Sequence, residues 1–153
     1  MTLGDLIKQS QFASPAQEAI LNVIATSSYV SSEIQAALAP HGVTQAQYNV
    51  LRILRGTHPG HYACSEIADR LLDRTPDVTR LLVRLESRGL VRRERAMHDR
   101  RVVEVQITDA GLEVLSDLDA PVQEAIARTT AHLEDDELET LSDLLERLRT
   151  NQT

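Results

Sequence analysis

Cysteine and aromatic residues are scarce in this chain, and long apolar runs are missing from its sequence. The single cysteine, Cys64, excludes an internal disulfide framework and is typical of a reducing compartment. No stretch approaches the roughly 18 apolar residues that cross a bilayer, and the start MTLGDLIKQS lacks the pattern of a secretory signal. Aromatic residues make up 3% of the 153 residues, so we expect an aliphatic core. These absences predict a cytoplasmic protein without a membrane segment.

Enzyme signatures are lacking as well. The sequence has no Gly-x-Ser-x-Gly motif, no glycine-rich phosphate loop and no paired-cysteine zinc pattern. His98 beside Asp99 offers two members of a catalytic dyad, but neither a nucleophile motif nor a cleft-forming segment accompanies it. We therefore expect no enzymatic activity and no cofactor.

Positive charge is low overall but concentrated in one segment. The formal net charge is −7, which by itself argues against a nucleic-acid partner. Residues 70–101, however, hold ten arginines against five acidic residues, whereas 109–149 hold twelve acids against three arginines. The guanidinium fork suits phosphates and guanine edges. The segment is therefore either a DNA-binding surface or a solvated face.

Capping residues predict four longer helices. Ser14-Pro15 starts a helix that ends at Pro40-His41-Gly42, and Thr44 starts the next one with Gln47 as its capping-box partner. Thr108 caps a third helix, in which Pro121 is expected to cause a kink or a break. A leucine-rich fourth helix begins at about Asp136.

Two short helices are predicted between them. Ser65 is a candidate cap for residues 66–72, and Thr75 for a second helix whose first position is Pro76. The second helix has an apolar stripe at helical spacing: Val78, Leu81, Leu82 and Leu85. The same periodicity turns a mixed set outward: Pro76, Thr79, Arg80, Val83, Arg84 and Ser87. Such side chains suit bases, thymine methyl groups and phosphates, and Asp77 either favours the helix dipole or accepts a hydrogen bond from cytosine.

Residues 90–95 and 102–107 predict two strands, the second with alternating apolar and polar positions. Two short helices followed by a hairpin predict a winged helix-turn-helix, so the fold class is mainly α with a small β-hairpin wing. We assign residues 41–108 to this DNA-binding lobe. Residues 1–40 and 109–153 form long N- and C-terminal dimerisation helices, because their leucines need a partner such as a second copy of the chain.

Three segments resemble the MarR family of bacterial transcription regulators. SEIADRLL at 65–72 is similar to its first helix-turn-helix helix, and GVTQAQYNVLRIL at 42–54 to the helix before it. The run TPDVTRLLVRLESRGLVRRERAMHDRRVVEVQITDAG at 75–111 resembles its recognition helix and wing. The most specific part combines Asp99, Arg101 and the Thr-x-x-Gly start at Thr108.

The resemblance implies a homodimer on pseudo-palindromic double-stranded DNA. The recognition helix, about 76–88, would lie in the major groove, and the wing, about 90–107, in the flanking minor groove. It implies that Arg101 enters that groove and that Asp99 steadies it. Arg100 between them adds a third charge, for which we expect a phosphate contact. A narrow minor groove independently attracts arginine. The expected DNA-contacting residues are Thr75, Pro76, Asp77, Thr79, Arg80, Val83, Arg84, Ser87, Asp99, Arg100 and Arg101.

The resemblance also implies a repressor that a small anionic or aromatic effector releases, with Tyr29, Tyr48 and Arg52 as candidate effector-binding residues. Two alternatives stay open. One is a metal- or redox-responsive regulator that uses the loop with His58, His61 and Cys64, although three ligands leave a zinc site incomplete. The other is an interaction adaptor that does not bind DNA, which would have no need of the arginine density of 80–101.

Overall fold

The computed structural model describes residues 2–9, 11–72, 77–97 and 99–150. It confirms a mainly helical winged helix-turn-helix with a small antiparallel sheet. The helices are α1 (Leu3–Ile7), α2 (Pro15–Leu38), α3 (Gln45–Thr57), α4 (Cys64–Arg70), α5 (Val78–Ser87), α6 (Asp109–Thr130) and α7 (Asp135–Thr150). The strands are β1 (Tyr62–Ala63), β2 (Val91–Arg95) and β3 (Val103–Ile107), and a 3₁₀ turn at Ala39–His41 follows α2.

Three predicted caps are confirmed by their hydrogen bonds. The Ser14 hydroxyl accepts from the Gln17 amide at 3.2 Å, and the Thr108 hydroxyl accepts from the Gly111 amide at 3.2 Å. Thr44 and Gln47 form a reciprocal capping box, with bonds of 3.0 and 3.2 Å. These side chains satisfy amides that a helix start leaves unpaired, so helix positions follow from local sequence.

The caps of the two short helices were predicted wrongly. Helix α4 starts at Cys64, and the Glu66 carboxylate accepts from the Ala63 amide at 2.8 Å, so Ser65 lies inside the helix. Helix α5 starts at Val78 because Asp77 is its cap and accepts from the Arg80 amide at 3.2 Å. Thr75 and Pro76, predicted as cap and first turn, lie outside the described residues.

Pro121 does not end its helix. Helix α6 runs continuously from Asp109 to Thr130, although proline lacks the amide hydrogen that a helix interior uses. The side chains on either side of it, Leu118 and Val122, are buried against the core. Burial of this face therefore outweighs the local preference for a break.

The sheet has the order β1-β3-β2, with antiparallel pairing throughout. Strands β2 and β3 form the predicted hairpin, in which Val91 lies opposite Ile107 and Arg95 opposite Val103. Strand β1 was not predicted, because two residues are too short to carry an alternation signal. It pairs Tyr62 with Val105 and so joins the loop before α4 to the wing.

The core is aliphatic, as predicted, and is formed by the sheet, the lobe helices and the parts of α2 and α6 that pack against them. Its fully buried large side chains are Leu38, Leu51, Leu54, Ile67, Leu82, Leu85, Leu115 and Leu118. By contrast, every described side chain of α7 is exposed or half-buried. Within the described ranges, no helix is both long and apolar enough to cross a membrane.

Candidate nucleic-acid interface

Helix α5 presents one apolar and one polar face. Leu82 and Leu85 are fully buried, with Val78 and Leu81 half-buried beside them, so the predicted stripe faces the core. The opposite face is exposed and consists of Thr79, Arg80, Val83, Arg84 and Ser87. Val83 is 46% exposed, which leaves an apolar branched side chain in the centre of this polar surface. We call these five side chains the outer face of α5.

Asp77 makes two contacts within the protein, although the sequence left open whether it favours the helix dipole or contacts a base. Its carboxylate caps α5 and also pairs with Arg80, whose Nε lies 3.1 Å from Asp77 Oδ2. Both side chains remain mostly exposed. The pair holds Arg80 over the first turn of the helix, where a recognition helix comes nearest to the bases.

The wing tip is braced through its backbone. Asp99 Oδ1 accepts from the Arg101 amide at 2.9 Å, and the Asp99 carbonyl accepts from the Val102 amide at 3.0 Å. The Ala96 amide donates to the Val102 carbonyl at 3.0 Å and closes the base of the turn. Asp99 therefore holds the chain at Arg101 rather than its guanidinium. Arg100 and Arg101 are exposed, and His98 lies outside the described residues.

Five arginines of the basic segment have partners within the protein. Two of them are Arg80, which pairs with Asp77, and Arg70, which donates to the Glu66 carbonyl at 2.9 Å. The Arg93 guanidinium lies 2.6 Å from Glu86 Oε2, Arg92 pairs with Glu94 at 3.0 Å, and Arg88 donates to two backbone carbonyls. Counting arginines along the sequence therefore overstated how many guanidinium groups are unoccupied, because the count does not show which of them have partners in the fold.

Four other arginines make no ion pair within the described ranges: Arg84, Arg95, Arg100 and Arg101. All four are exposed. Arg95 was missing from the predicted site. It lies at the end of β2, where the strand enters the wing, and its position just before a basic turn was the available signal. Arg84 belongs to the outer face of α5, and the other three arginines give the wing an exposed positive charge.

The loop with His58, His61 and Cys64 has the arrangement of a structural loop. His61 Nε2 lies 3.3 Å from Glu104 on β3, and Gln106 donates to the Pro59 carbonyl. Among the described residues, no three histidine, cysteine or acidic side chains are grouped to hold a metal ion. Burial raises the pKa of the Cys64 thiol. Since the thiolate is the reactive form, this opposes redox sensing.

The three candidate effector residues do not share one crevice. Arg52 stacks over the ring of buried Tyr48, with its Cζ 5.7 Å from the ring centre. Arg52 also lines a crevice of about 230 Å³ between α3 and the end of α4. Tyr29 is 53% exposed and lines a separate crevice beside α1. Tyr48 and Arg52 thus come together in one chain, and Tyr29 does not join them.

Comparison with known proteins gives consistent similarities. A family model described as MarR family matches residues 43–103. The HTH-type transcriptional repressor MdtR of Bacillus subtilis is 31% identical over 109 residues, 71% of this chain and 69% of that protein. A MarR transcription factor structure from Planctomyces limnophilus is 43% identical, with a TM-score of 0.71 over 89% of this chain and 98% of that one. An Escherichia coli MarR variant complexed with operator DNA is 28% identical, with a TM-score of 0.75 over 83% of this chain and 90% of that one.

Proposed function

This chain belongs to the MarR family of transcription regulators, and from that premise we propose that it is a homodimeric repressor of pseudo-palindromic duplex DNA that a small effector releases. The observation that carries the proposal is the outer face of α5. Five exposed side chains of suitable types follow one side of a helix whose other side is locked into the core. A ten-residue helix is about 15 Å long and fits the major groove.

Each group on the outer face has a matching DNA group. Arg80 and Arg84 offer forked donors for guanine O6 and N7 or for phosphates, and Val83 offers an apolar contact for a thymine methyl group. Thr79 has a hydroxyl for a base edge or a phosphate. The Ser87 hydroxyl donates to the Arg84 carbonyl at 2.8 Å, so it is left to accept rather than donate. We infer that Arg80, Val83 and Arg84 carry most of the base preference.

The wing is inferred to enter the minor groove with Arg101. A narrow minor groove has an enhanced negative potential, and an arginine held on a short turn needs little reorganisation to enter it. The Asp99 bond to the Arg101 amide supplies that hold. Arg95 and Arg100 flank the turn and would contact phosphates on either side. These contacts add affinity with little sequence preference.

The second copy is inferred from apolar side chains at both chain ends. Ile20 and Ile24 on α2 are 44% and 58% exposed, and Leu144 and Leu148 on α7 are 52% and 50% exposed. Contiguous exposed apolar surface is typical of an interface. A two-fold dimer covers the same patch on both copies and matches the symmetry of a palindrome.

Leu144→Glu tests the dimer against Ser142→Glu, which adds the same charge at an exposed serine of the same helix. We expect light scattering to show monomers at micromolar concentration for Leu144→Glu and dimers for Ser142→Glu. Equal dimer fractions in the two variants would remove α7 from the proposed interface.

Repression and release by an effector are the finer parts of the proposal. The name of the Bacillus subtilis relative supports a repressor. Exposed Arg52, which lines the crevice between α3 and the end of α4, supports an anionic effector, because a guanidinium binds carboxylates. Tyr48 is buried and would act by holding Arg52 in place. Small aromatic carboxylates should release labelled operator from the protein, and Arg52→Ala should require higher concentrations. Equal release from both proteins would exclude Arg52.

Selection from a random duplex library with purified protein tests the central proposal. We expect enrichment of a two-fold symmetric sequence whose half-sites are about one helical turn apart. Arg80→Ala should relax the preference at one position in each half-site, by about 1–3 kcal/mol. Arg128→Ala, which removes the same charge on α6, should leave it unchanged. Failure of the wild-type protein to enrich any sequence would favour the adaptor, and enrichment dependent on added zinc would favour the metal-responsive regulator.

A further inference from the structure

The turn at residues 88–90, which we call the junction, follows α5 and connects it to β2. Gly89 adopts a positive φ of 71°, and its amide donates to the Glu86 carbonyl at 2.8 Å. The Leu90 amide donates back to Leu85 at 3.0 Å. This hydrogen-bonded turn ends the helix sharply. The junction is therefore a fixed point from which the direction of α5 is set.

One side of the junction is tied to the end of α2. The Arg88 guanidinium donates through Nη1 to the Gly42 carbonyl at 2.8 Å and through Nη2 to the His41 carbonyl at 3.0 Å. These carbonyls belong to the 3₁₀ turn that follows α2 and to its left-handed cap, at a φ of 64° for Gly42. Carbonyls at a helix end attract cations. Two bonds from one planar fork fix orientation as well as distance.

The other side of the junction is tied to the start of α6. The Thr108 hydroxyl donates to the Gly89 carbonyl at 2.6 Å, and the Thr108 amide donates to the Leu90 carbonyl at 3.1 Å. Gly111 packs so closely that a Cβ atom there would collide with the Leu90 carbonyl oxygen. The junction is thus tied to the turn that follows α2 and to the cap and first turn of α6, where the lobe joins the two long helices of the proposed dimerisation region.

We propose that Arg88 is a positioning residue that sets the spacing between the two half-sites. The inference rests on the proposed function, because α2 and α6 must form part of a dimer. The outer face of α5 selects the bases of one half-site, but the distance between two such helices depends on how rigidly each is held to the dimer. One base pair changes the separation by about 3.4 Å and also rotates the half-site. If the Arg88 hydrogen bonds hold α5 rigidly, the geometry of the dimer fixes the distance between the two recognition helices. The protein then prefers operators with the matching spacing between half-sites.

The competing role for Arg88 is a direct phosphate contact. Both terminal nitrogens already donate to carbonyls, which leaves less of the guanidinium for DNA. Salt dependence separates the two roles, because each lost phosphate contact lowers the slope of log K against log salt by about 0.9. A positioning residue leaves that slope unchanged.

Operators that differ only in spacing provide the test. The sequence selected by the wild-type protein is synthesised at its natural spacing and with one base pair removed, one added or two added. Binding of the wild type, Arg88→Gln, Arg88→Lys and Arg84→Ala is measured on each duplex and at several salt concentrations. Light scattering and thermal unfolding verify that each variant is a folded dimer. Arg88→Lys keeps the positive charge and can still donate to a carbonyl, so it covers the case in which Arg88→Gln does not fold.

For Arg88→Gln we expect the preference for the natural spacing to fall about tenfold, with base preference and salt slope unchanged. Arg88→Lys should be intermediate, because a point charge satisfies one carbonyl without fixing orientation. Arg84→Ala should weaken binding at every spacing alike. An unchanged spacing profile in the Arg88 variants, or a reduced salt slope, overturns the inference while the proposed function stands. If the wild type selects no two-fold operator, both are overturned.

Discussion

Arg93→Ala is expected to destabilise the fold by about 2 kcal/mol while leaving the salt dependence of DNA binding unchanged. Arg93 stands among the arginines that charge counting assigns to DNA, but its guanidinium is occupied. Glu86 Oε2 accepts from Arg93 Nε at 2.8 Å and lies 2.6 Å from Nη2, and Glu86 Oε1 accepts from the Arg93 amide at 3.2 Å. The pair joins the last turn of α5 to the first strand of the wing.

The magnitude follows from the exposure of the pair. The side chains of Arg93 and Glu86 are 24% and 37% exposed. Exposed ion pairs contribute about 0–1 kcal/mol, and breaking a buried one costs about 3–5 kcal/mol. Hydrogen bonds to charged groups contribute about 1.5–3 kcal/mol, which places this pair near 2 kcal/mol. For a chain of this length the melting temperature should fall by about 4–8 °C.

Arg95→Ala is the matched control on the same strand. Arg95 is exposed and makes no ion pair within the described residues, so its removal should change stability by less than about 0.5 kcal/mol. It should instead lower the salt slope of operator binding by about 2 per dimer, one phosphate for each copy. Urea unfolding at one fixed protein concentration and binding titrations at several salt concentrations measure both quantities.

The opposite pattern would refute this assignment. Suppose that the Arg93→Ala variant were as stable as the wild type and had a lower salt slope of operator binding. Arg93 would then contact DNA, and its ion pair with Glu86 would contribute little to the free energy of unfolding. A second refutation is additive loss in the Glu86→Ala, Arg93→Ala double variant, because partners in one ion pair must show coupling.

Three further expectations concern the wing tip, the start of α6 and the thiol. Asp99→Asn should keep most of the operator affinity that Asp99→Ala loses, because an amide oxygen still accepts from the Arg101 amide; equal loss in gel-shift titrations would indicate an ion pair with the guanidinium instead. Gly111→Ala should destabilise the fold by about 1–3 kcal/mol, because the added Cβ collides with the Leu90 carbonyl. Gly56→Ala lies in open space within α3 and should stabilise the fold by about 0.5–1 kcal/mol. A higher urea midpoint for Gly111→Ala than for Gly56→Ala would contradict this packing. Burial raises the pKa of Cys64, so iodoacetamide should modify the folded protein more slowly than the unfolded chain at pH 8. The two rates, measured by mass spectrometry, should converge at higher pH. Equal rates at pH 8 would exclude that protection.

Local chemistry explains which elements could be predicted from the sequence. Ser14, Thr44 and Thr108 cap helices through bonds that span three residues, so they are visible in a short window. The stripe of α5 was also predictable, because burial at helical spacing needs no knowledge of the partner. The caps at Ser65 and Thr75 were wrong because α4 begins one residue before Ser65 and α5 is capped by Asp77, and local sequence does not rank neighbouring capping residues.

The sequence predicted which residue types form the candidate site, but not which of its arginines have partners within the protein. The exposed positions of α5 and the tip arginines followed from periodicity and from the resemblance, and their contacts with DNA stay predictions. The partners of Arg88 are 46 and 47 residues away along the chain. Strand β1 and the uninterrupted α6 were missed for the same reason, because pairing and burial against distant elements stabilise them.

The sequence by itself determined the longer helices, the outward residues of α5 and the family, because capping, periodicity and motif spacing act over a few residues. Tertiary structure decided which arginines have partners within the protein. A guanidinium beside Glu86 or beside the carbonyls after α2 is held within the protein, whereas one at the wing tip stays in solvent. That difference depends on which elements meet in space, and charge along the chain does not contain it.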